Sequence, residues 1–335
     1  MTQNPPRFQL KDRFGRSVDY LRLSVTDRCD FRCIYCMSEQ MNFLPRQEIL
    51  TLEELELVAL AFVQLGVKKI RVTGGEPLVR SGVTGLLSQL SKMKGIETLA
   101  LTTNGSLLGE MAKTLKTSGV QRINVSLDTL SAERFRSITR VGDLDRVLKS
   151  LDVALSQGFE RIKLNTVVLR ERNHDEVCDL VAFAVKKGLD ISFIEEMPLG
   201  FIDSHDRKEA FYSSSAIRND LSRHWHLEPI DVSTGGPSRY WKLEGSPIRV
   251  GFISPHSQNF CASCNRVRVT AEGKLLLCLG NEHSVDLRAV IRSTSGDLEH
   301  LKKSMIEAMA IKPEKHHFEV ETQPLIFRHM SVTGG

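Results

Sequence analysis

The chain has 335 residues, 41% hydrophobic and 26% charged, a globular composition with room for one barrel-sized domain or a domain with a sizeable extension. Its 45 basic and 41 acidic residues leave a net charge of only +4, which argues against nucleic-acid binding through a general basic field. No apolar run approaches the roughly 20 residues of a membrane helix, and the start Met1-Thr2-Gln3-Asn4-Pro5-Pro6 lacks the pattern of a secretory signal.

Residues 1–17 read as a flexible lead-in. Strand candidates then fall at Tyr20–Val25, Lys69–Val72, Thr98–Thr102, Arg122–Leu127, Arg161–Val168 and Ile191–Glu195. Helical patterns lie between them, near Thr51–Leu65, Gly82–Met93, Leu107–Thr117, Asp143–Gln157 and His174–Lys187. Thr51 and Glu54 form a capping box, and Gly66 ends that helix. Short strands alternating with helices predict parallel βα units, so the expected fold is α/β, a partial (βα)6 TIM-type barrel over residues 18–198. Residues 199–335 form a C-terminal region expected to close the barrel and to end in a Gly-Gly tail. Within it Phe211–Arg223 looks helical, and Ser233-Thr234-Gly235-Gly236-Pro237 is a loop signal.

The strands alternate. Leu21 and Leu23 oppose Arg22 and Ser24, Ile70 and Val72 oppose Lys69 and Arg71, and Ile162 and Leu164 oppose Lys163 and Asn165. A period of two puts one face under the helices and the other, polar and partly cationic, into the lumen. Barrels of this type ordinarily fill that space with apolar side chains, so Arg22, Arg71 and Lys163 predict a wet cavity with an anionic guest. The bland alternative is a sheet with one solvent-facing side.

The loop after the first strand holds Cys29, Cys33 and Cys36, three thiols within eight residues. A closed zinc site needs four ligands, and no fourth Cys or His stands near. Thiolates are the usual ligands of iron–sulfur clusters, and three on a four-iron cluster leave one iron open. This spacing, with Tyr35 before the last cysteine, resembles the signature of radical S-adenosylmethionine (SAM) enzymes. Thr73-Gly74-Gly75-Glu76-Pro77, after the second strand, resembles the segment that receives the methionyl amino group of SAM in those enzymes.

Cys261, Cys264 and Cys278 form a second group. Locally, zinc and iron–sulfur are equally good readings, with His256 or His283 as the fourth zinc ligand. Seven cysteines, in two close groups plus Cys178, suit ligation in a reducing compartment, and a cytoplasmic location is expected.

From Leu21 to Gly335 the chain resembles the GTP 3′,8-cyclase family of molybdenum cofactor biosynthesis. The likeness rests on Leu21 to Asp27, the first triplet, Ile70 to Pro77, Cys261 to Arg268 and the final Gly334-Gly335. It implies two [4Fe-4S] clusters, on Cys29, Cys33 and Cys36 and on Cys261, Cys264 and Cys278, with SAM as cofactor. It implies SAM contacts at Tyr35, Gly75, Ser126 and Met197. GTP contacts would come from Arg22, Arg71, Thr102, Lys163, Arg266, Val267 and Arg268, and catalytic roles from Arg266, Arg268, Gly334 and Gly335. The implied reaction removes hydrogen from C3′ of the ribose with a 5′-deoxyadenosyl radical, and the carbon radical attacks guanine C8 to give 3′,8-cyclo-7,8-dihydro-GTP. Implied partners are a flavodoxin- or ferredoxin-like electron donor and a downstream cyclic pyranopterin monophosphate synthase, with no nucleic acid or membrane and a homodimer left open. The family usually carries Arg where this chain has Ser192, so one nucleotide anchor is replaced, with Lys69 or another nearby base to cover for it. The competing readings are another radical SAM enzyme with an auxiliary cluster, such as one acting on a peptide, and a zinc-stapled binding module.

Overall fold

Alternating apolar and polar residues form most of the first six strands of the computed structural model, which describes residues 9–202, 206–258, 260–316, 318 and 326–334. They are β1 (Tyr20–Ser24), β2 (Lys69–Thr73), β3 (Thr98–Thr103), β4 (Arg122–Ser126), β5 (Arg161–Val168) and β6 (Asp190–Glu195). Helices α1 (Leu52–Gln64), α2 (Val83–Lys92), α3 (Leu108–Thr117), α4 (Ala132–Thr139), α5 (Leu144–Leu155) and α6 (Val177–Lys187) alternate with them. The capping box at Thr51 and Glu54 is formed in both directions. Helix α4 went unread because only Phe135, Ile138 and Thr139 of its residues are buried, too thin a stripe for a helical period.

The C-terminal region adds β7 (Leu227–Ile230), β8 (Arg239–Leu243), β9 (Arg249–Ile253), β10 (Arg266–Val269), β11 (Lys274–Leu276) and β12 (Ser284–Asp286). Among the described residues twelve strands form one sheet, ordered β12-β11-β10-β1-β2-β3-β4-β5-β6-β9-β8-β7. From β10 through β1–β6 to β9 the pairing is parallel. The six-stranded barrel is thus extended on both flanks by strands from after residue 198, and among the described residues β12 and β7 do not pair with each other. Residues 199–335 therefore share the sheet of the first part instead of standing beside it.

The apolar face of each strand packs under the helices. Leu21, Leu23, Ile70, Val72, Ile123, Val125, Leu164 and Ile191 join the side chains of α1, α2, α5 and α6 in one buried core. The lead-in differs from expectation over its described part. Leu10 is buried, its amide donates to Leu65 O, and Arg16 pairs with Asp12 at 2.6 Å. Short-range apolar content is too low there to announce this docking in the sequence. Residues 1–8 lie outside the described residues.

Candidate active site

The C-terminal ends of the parallel strands converge on a cavity of about 150 Å³. Cys29, Cys33 and Cys36 line it together with Tyr35, Gly75, Ser126 and Met197, so the first triplet and all four residues matched to SAM contacts share one space. The double glycine is there for close approach. A Cβ on Gly75 would lie 2.4 Å from Arg28 O, and one on Gly74 2.6 Å from Thr26 O, so any side chain would push the cysteine loop off the β2 end. Glu76, fully buried, ties that loop to the end of β3 by accepting from Thr103 Oγ1 at 2.9 Å and Asn104 N at 2.6 Å. Burial raises its carboxyl to about 7 in spite of these donors. Tyr35 donates to Asp128 at 2.7 Å.

None of the seven cysteines is in a disulfide. Burial, and then the neighbouring sulfurs Cys36 and Cys29, hold the Cys33 thiol well above its usual value. Burial likewise raises Cys36 to about 12, against a hydrogen bond from the Ser331 amide. Thiols in this state ionise only beside a strong positive charge, as a metal supplies. The Phe31 amide donates to Cys29 Sγ at 3.3 Å, a contact suited to a cluster thiolate. This donor set fits a cluster.

Cys261, Cys264 and Cys278 line a second cavity, of about 70 Å³, with Arg266, Arg268 and Met197. Met197 lines the first cavity as well, so the two adjoin. The His316 amide donates to Cys261 Sγ at 3.4 Å. Lys312, fully buried, sits 3.8 Å from Cys264 Sγ. Burial would raise the Cys264 thiol, but Lys312 and Arg266 outweigh it and hold the thiol below its usual value. This set also fits a cluster. A closed zinc site would need a fourth ligand beside the three thiols. Of the expected fourth ligands, His256 is engaged at 2.7 Å with Glu196 O.

Between the cavities the lumen is cationic. Register places Arg268, Arg22 and Arg71 side by side across β10, β1 and β2. Burial first, and then Arg71 and Arg266 against the pull of Tyr20, lowers Arg22 to about 10. Burial together with Arg22 and Arg266 also lowers Arg268 well below its usual value. Arg71 donates to the Tyr20 hydroxyl at 2.8 Å and contacts Thr102 Oγ1 at 3.4 Å. Burial raises the Tyr20 phenol, yet Arg71, Arg22 and Lys69 overcome it and bring it to about 6. Tyr20 thus serves as counter-charge to the crowded cations. Lys163 lies on β5 beside Ser192. Val267 is placed differently from the other matched residues, since its side chain packs in the core and only its backbone faces the cavity side.

The tail enters this lumen. Ile326 bridges Leu199, Met330 lines the first cavity, and the Gly334 carbonyl accepts from Arg268 at 2.7 Å and Arg22 at 3.4 Å. Gly335 lies outside the described residues. Sequence reasoning missed Tyr20, whose apolar-strand context hides its role. It also missed Lys312; Asn165, expected on the lumen face, lines the first cavity, and its buried Oδ1 has no partner among the described residues. No local motif marks Lys312.

A barrel carrying three thiols at the end of its first strand defines the radical SAM class, and the Radical SAM superfamily model matches residues 23–184. The model described as Molybdenum Cofactor Synthesis C matches residues 189–318. The GTP 3′,8-cyclase of Saccharophagus degradans is 59% identical over 326 residues, 97% of this chain and 98% of that one. That of Pseudomonas entomophila is 57% identical over the full length of both chains. The chain belongs to the GTP 3′,8-cyclase family. Among solved structures, SuiB of Streptococcus suis bound to S-adenosylmethionine superimposes with a TM-score of 0.62 at 15% identity, covering 94% of this chain and 77% of that one, a likeness of fold alone.

Proposed function

We infer that the chain converts GTP to 3′,8-cyclo-7,8-dihydro-GTP in molybdenum cofactor biosynthesis. The observation that carries this is the row Arg268, Arg22 and Arg71, packed between two three-cysteine cavities and crowded enough to lower Arg22 and Arg268. Such a row is strained by its own charge until a polyanion enters, and guanidinium groups match phosphate oxygens in pairs. A peptide substrate gives no reason for this convergence.

When bound, the cluster on Cys29, Cys33 and Cys36 together with SAM supplies the 5′-deoxyadenosyl radical that takes hydrogen from the ribose C3′. Gly75 leaves room for the methionyl end, and Tyr35, Ser126 and Met197 border the same space. Arg266 and Arg268 edge the second cavity and hold the guanine nucleotide there. Arg22, Arg71, Thr102 and Lys163 fix its phosphates and sugar, and Gly334 orders Arg268 and Arg22. Holding both reacting parts in one channel removes the entropy of bringing them together. The electron comes from a flavodoxin- or ferredoxin-like donor, and a cyclic pyranopterin monophosphate synthase takes the product. Among the described residues no helix is long and apolar enough to cross a membrane, and a reducing cytoplasmic setting suits six thiols kept for ligation.

Anaerobic reconstitution with iron, sulfide, SAM, GTP and a reductant, followed by product analysis, tests this. The cyclised nucleotide and 5′-deoxyadenosine are expected together. Deoxyadenosine formed equally well with GTP absent, and no new nucleotide with it present, would remove GTP as the substrate.

A further inference from the structure

We propose that the β7–β8 hairpin supplies the nucleotide anchor that Ser192 does not, with Tyr240 as the residue that positions Lys163 for the terminal phosphate. This rests on the lumen being the GTP site. Hydroxyls from two segments of the chain meet one ammonium there. Lys163 Nζ donates to Ser192 Oγ at 3.2 Å and to the Tyr240 hydroxyl at 3.4 Å. Ser192 Oγ lies 2.9 Å from Ser238 Oγ, and Thr234 Oγ1 lies 3.2 Å from the Tyr240 hydroxyl.

An ammonium only donates, so each hydroxyl that accepts from it keeps its own hydrogen to give away. The Ser192 hydrogen has Ser238 to go to. The Tyr240 hydrogen has Thr234, or an oxygen arriving in the lumen. Phosphate oxygens only accept. An ammonium flanked by hydroxyl donors is therefore complementary to a phosphate, and bonds of this kind to an anion are the strong ones.

Register builds the cluster. Tyr240 stands opposite Gly251 across β8 and β9, and Gly251 stands opposite Ser192 across β9 and β6. A Cβ on Gly251 would lie 2.2 Å from Ser238 Oγ and 2.5 Å from Ser192 Oγ. Glycine at that position is what lets the hydroxyls meet. The same packing encloses Ser192 completely, so an arginine would have to displace Ser238 and Tyr240. The hairpin also reaches the other lumen lysine, because the Thr234 carbonyl accepts from Lys69 Nζ.

Arg266 and Arg268 border the second cysteine cavity, where base and ribose would be engaged. Lys163 lies on β5, three strands around the sheet from Arg71 on β2. In the proposed pose the triphosphate runs between them and its far end meets Lys163.

Equilibrium dialysis of GTP and of GDP against the anaerobic holoenzyme, both clusters in place, tests the assignment. Tyr240→Phe is expected to reduce the preference for GTP over GDP about tenfold, the worth of roughly one charge-assisted hydrogen bond, by weakening GTP and leaving GDP within about twofold. Ser238→Ala, which keeps the tyrosine ring in place, is expected to move the ratio the same way by about threefold, on the order of a neutral hydrogen bond. A ratio unchanged in both variants overturns the proposal, whether both nucleotides weaken together or neither does. A wild-type enzyme that binds neither nucleotide overturns the GTP site itself.

Discussion

Replacing Gly334 with alanine adds one methyl group at the point where the tail meets the lumen. Gly334 has φ +76°, and the new Cβ would lie 2.2 Å from Thr73 Cγ2. The left-handed conformation alone costs a residue with a side chain about 1–2 kcal/mol. Relieving the clash moves the carbonyl away from Arg268, which donates to it at 2.7 Å, and a charge-assisted hydrogen bond is worth about 1.5–3 kcal/mol. Together these come to roughly 3–5 kcal/mol, more than the four-residue helix Met330–Thr333 can hold by itself. The tail is expected to leave the lumen. Gly334 orders Arg22 and Arg268, while Ser331 donates to Cys36 and Met330 borders the SAM cavity, so iron content should stay near wild-type level and SAM cleavage should fall by roughly fivefold, the worth of one hydrogen bond. Cyclised nucleotide should fall by on the order of 100-fold, which is about 3 kcal/mol in the barrier. The assay follows deoxyadenosine and cyclised nucleotide in one anaerobic reaction, with trypsin sensitivity at Arg328 reporting tail release. Normal cyclisation by Gly334→Ala would refute the role of the tail, and parallel loss of both products would place its role at the SAM site instead.

Gly75→Ala should weaken SAM binding by at least about tenfold, because its Cβ meets backbone, Arg28 O at 2.4 Å, which has no rotamer to yield; unchanged SAM affinity by dialysis would contradict the close approach. Cys33→Ala should abolish SAM cleavage. Cys261→Ala should retain much of it and lose cyclisation, so cyclised product at wild-type level from Cys261→Ala would detach the second cavity from the substrate. GTP binding should take up protons. In the free enzyme burial, opposed by Tyr20 and aided by Arg71, lowers Lys69 to about 8, and the lumen cations lower Tyr20 to about 6. A bound polyanion favours the protonated form of both groups, so uptake should grow from about one proton at pH 7 to nearly two at pH 8.5, and affinity should fall as pH rises through 8. Calorimetry in buffers of different ionisation enthalpy measures this, and zero uptake at pH 8.5 would mean that GTP binds away from Lys69 and Tyr20.

Strands β1 to β6 and most of their helices were legible because their signals are local. A period of two in Leu21 to Ser24 or Ile162 to Asn165, and a capping box at Thr51, are written within a few residues. The same alternation put Arg22, Arg71 and Lys163 on one face, and the spacing of Cys29, Cys33 and Cys36 is a property of one loop. What the sequence determined by itself was therefore the chemistry of each segment and which side of the sheet it shows.

Which segments stand next to one another was decided only in three dimensions. Pairing β10 with β1 sets Arg268 beside Arg22, 246 positions apart, and pairing β9 with β6 sets Gly251 against Ser192. Strand hydrogen bonds are alike wherever they form, so no local pattern names the partner. Lys312 beside Cys264, and Gly334 between two arginines, likewise come from surface burial that only the closed sheet offers. Charge crowding in the lumen belongs to that level too. One arginine on a strand is solvated, whereas burial in a row of like charges lowers Arg22 and Arg268 and favours an anion.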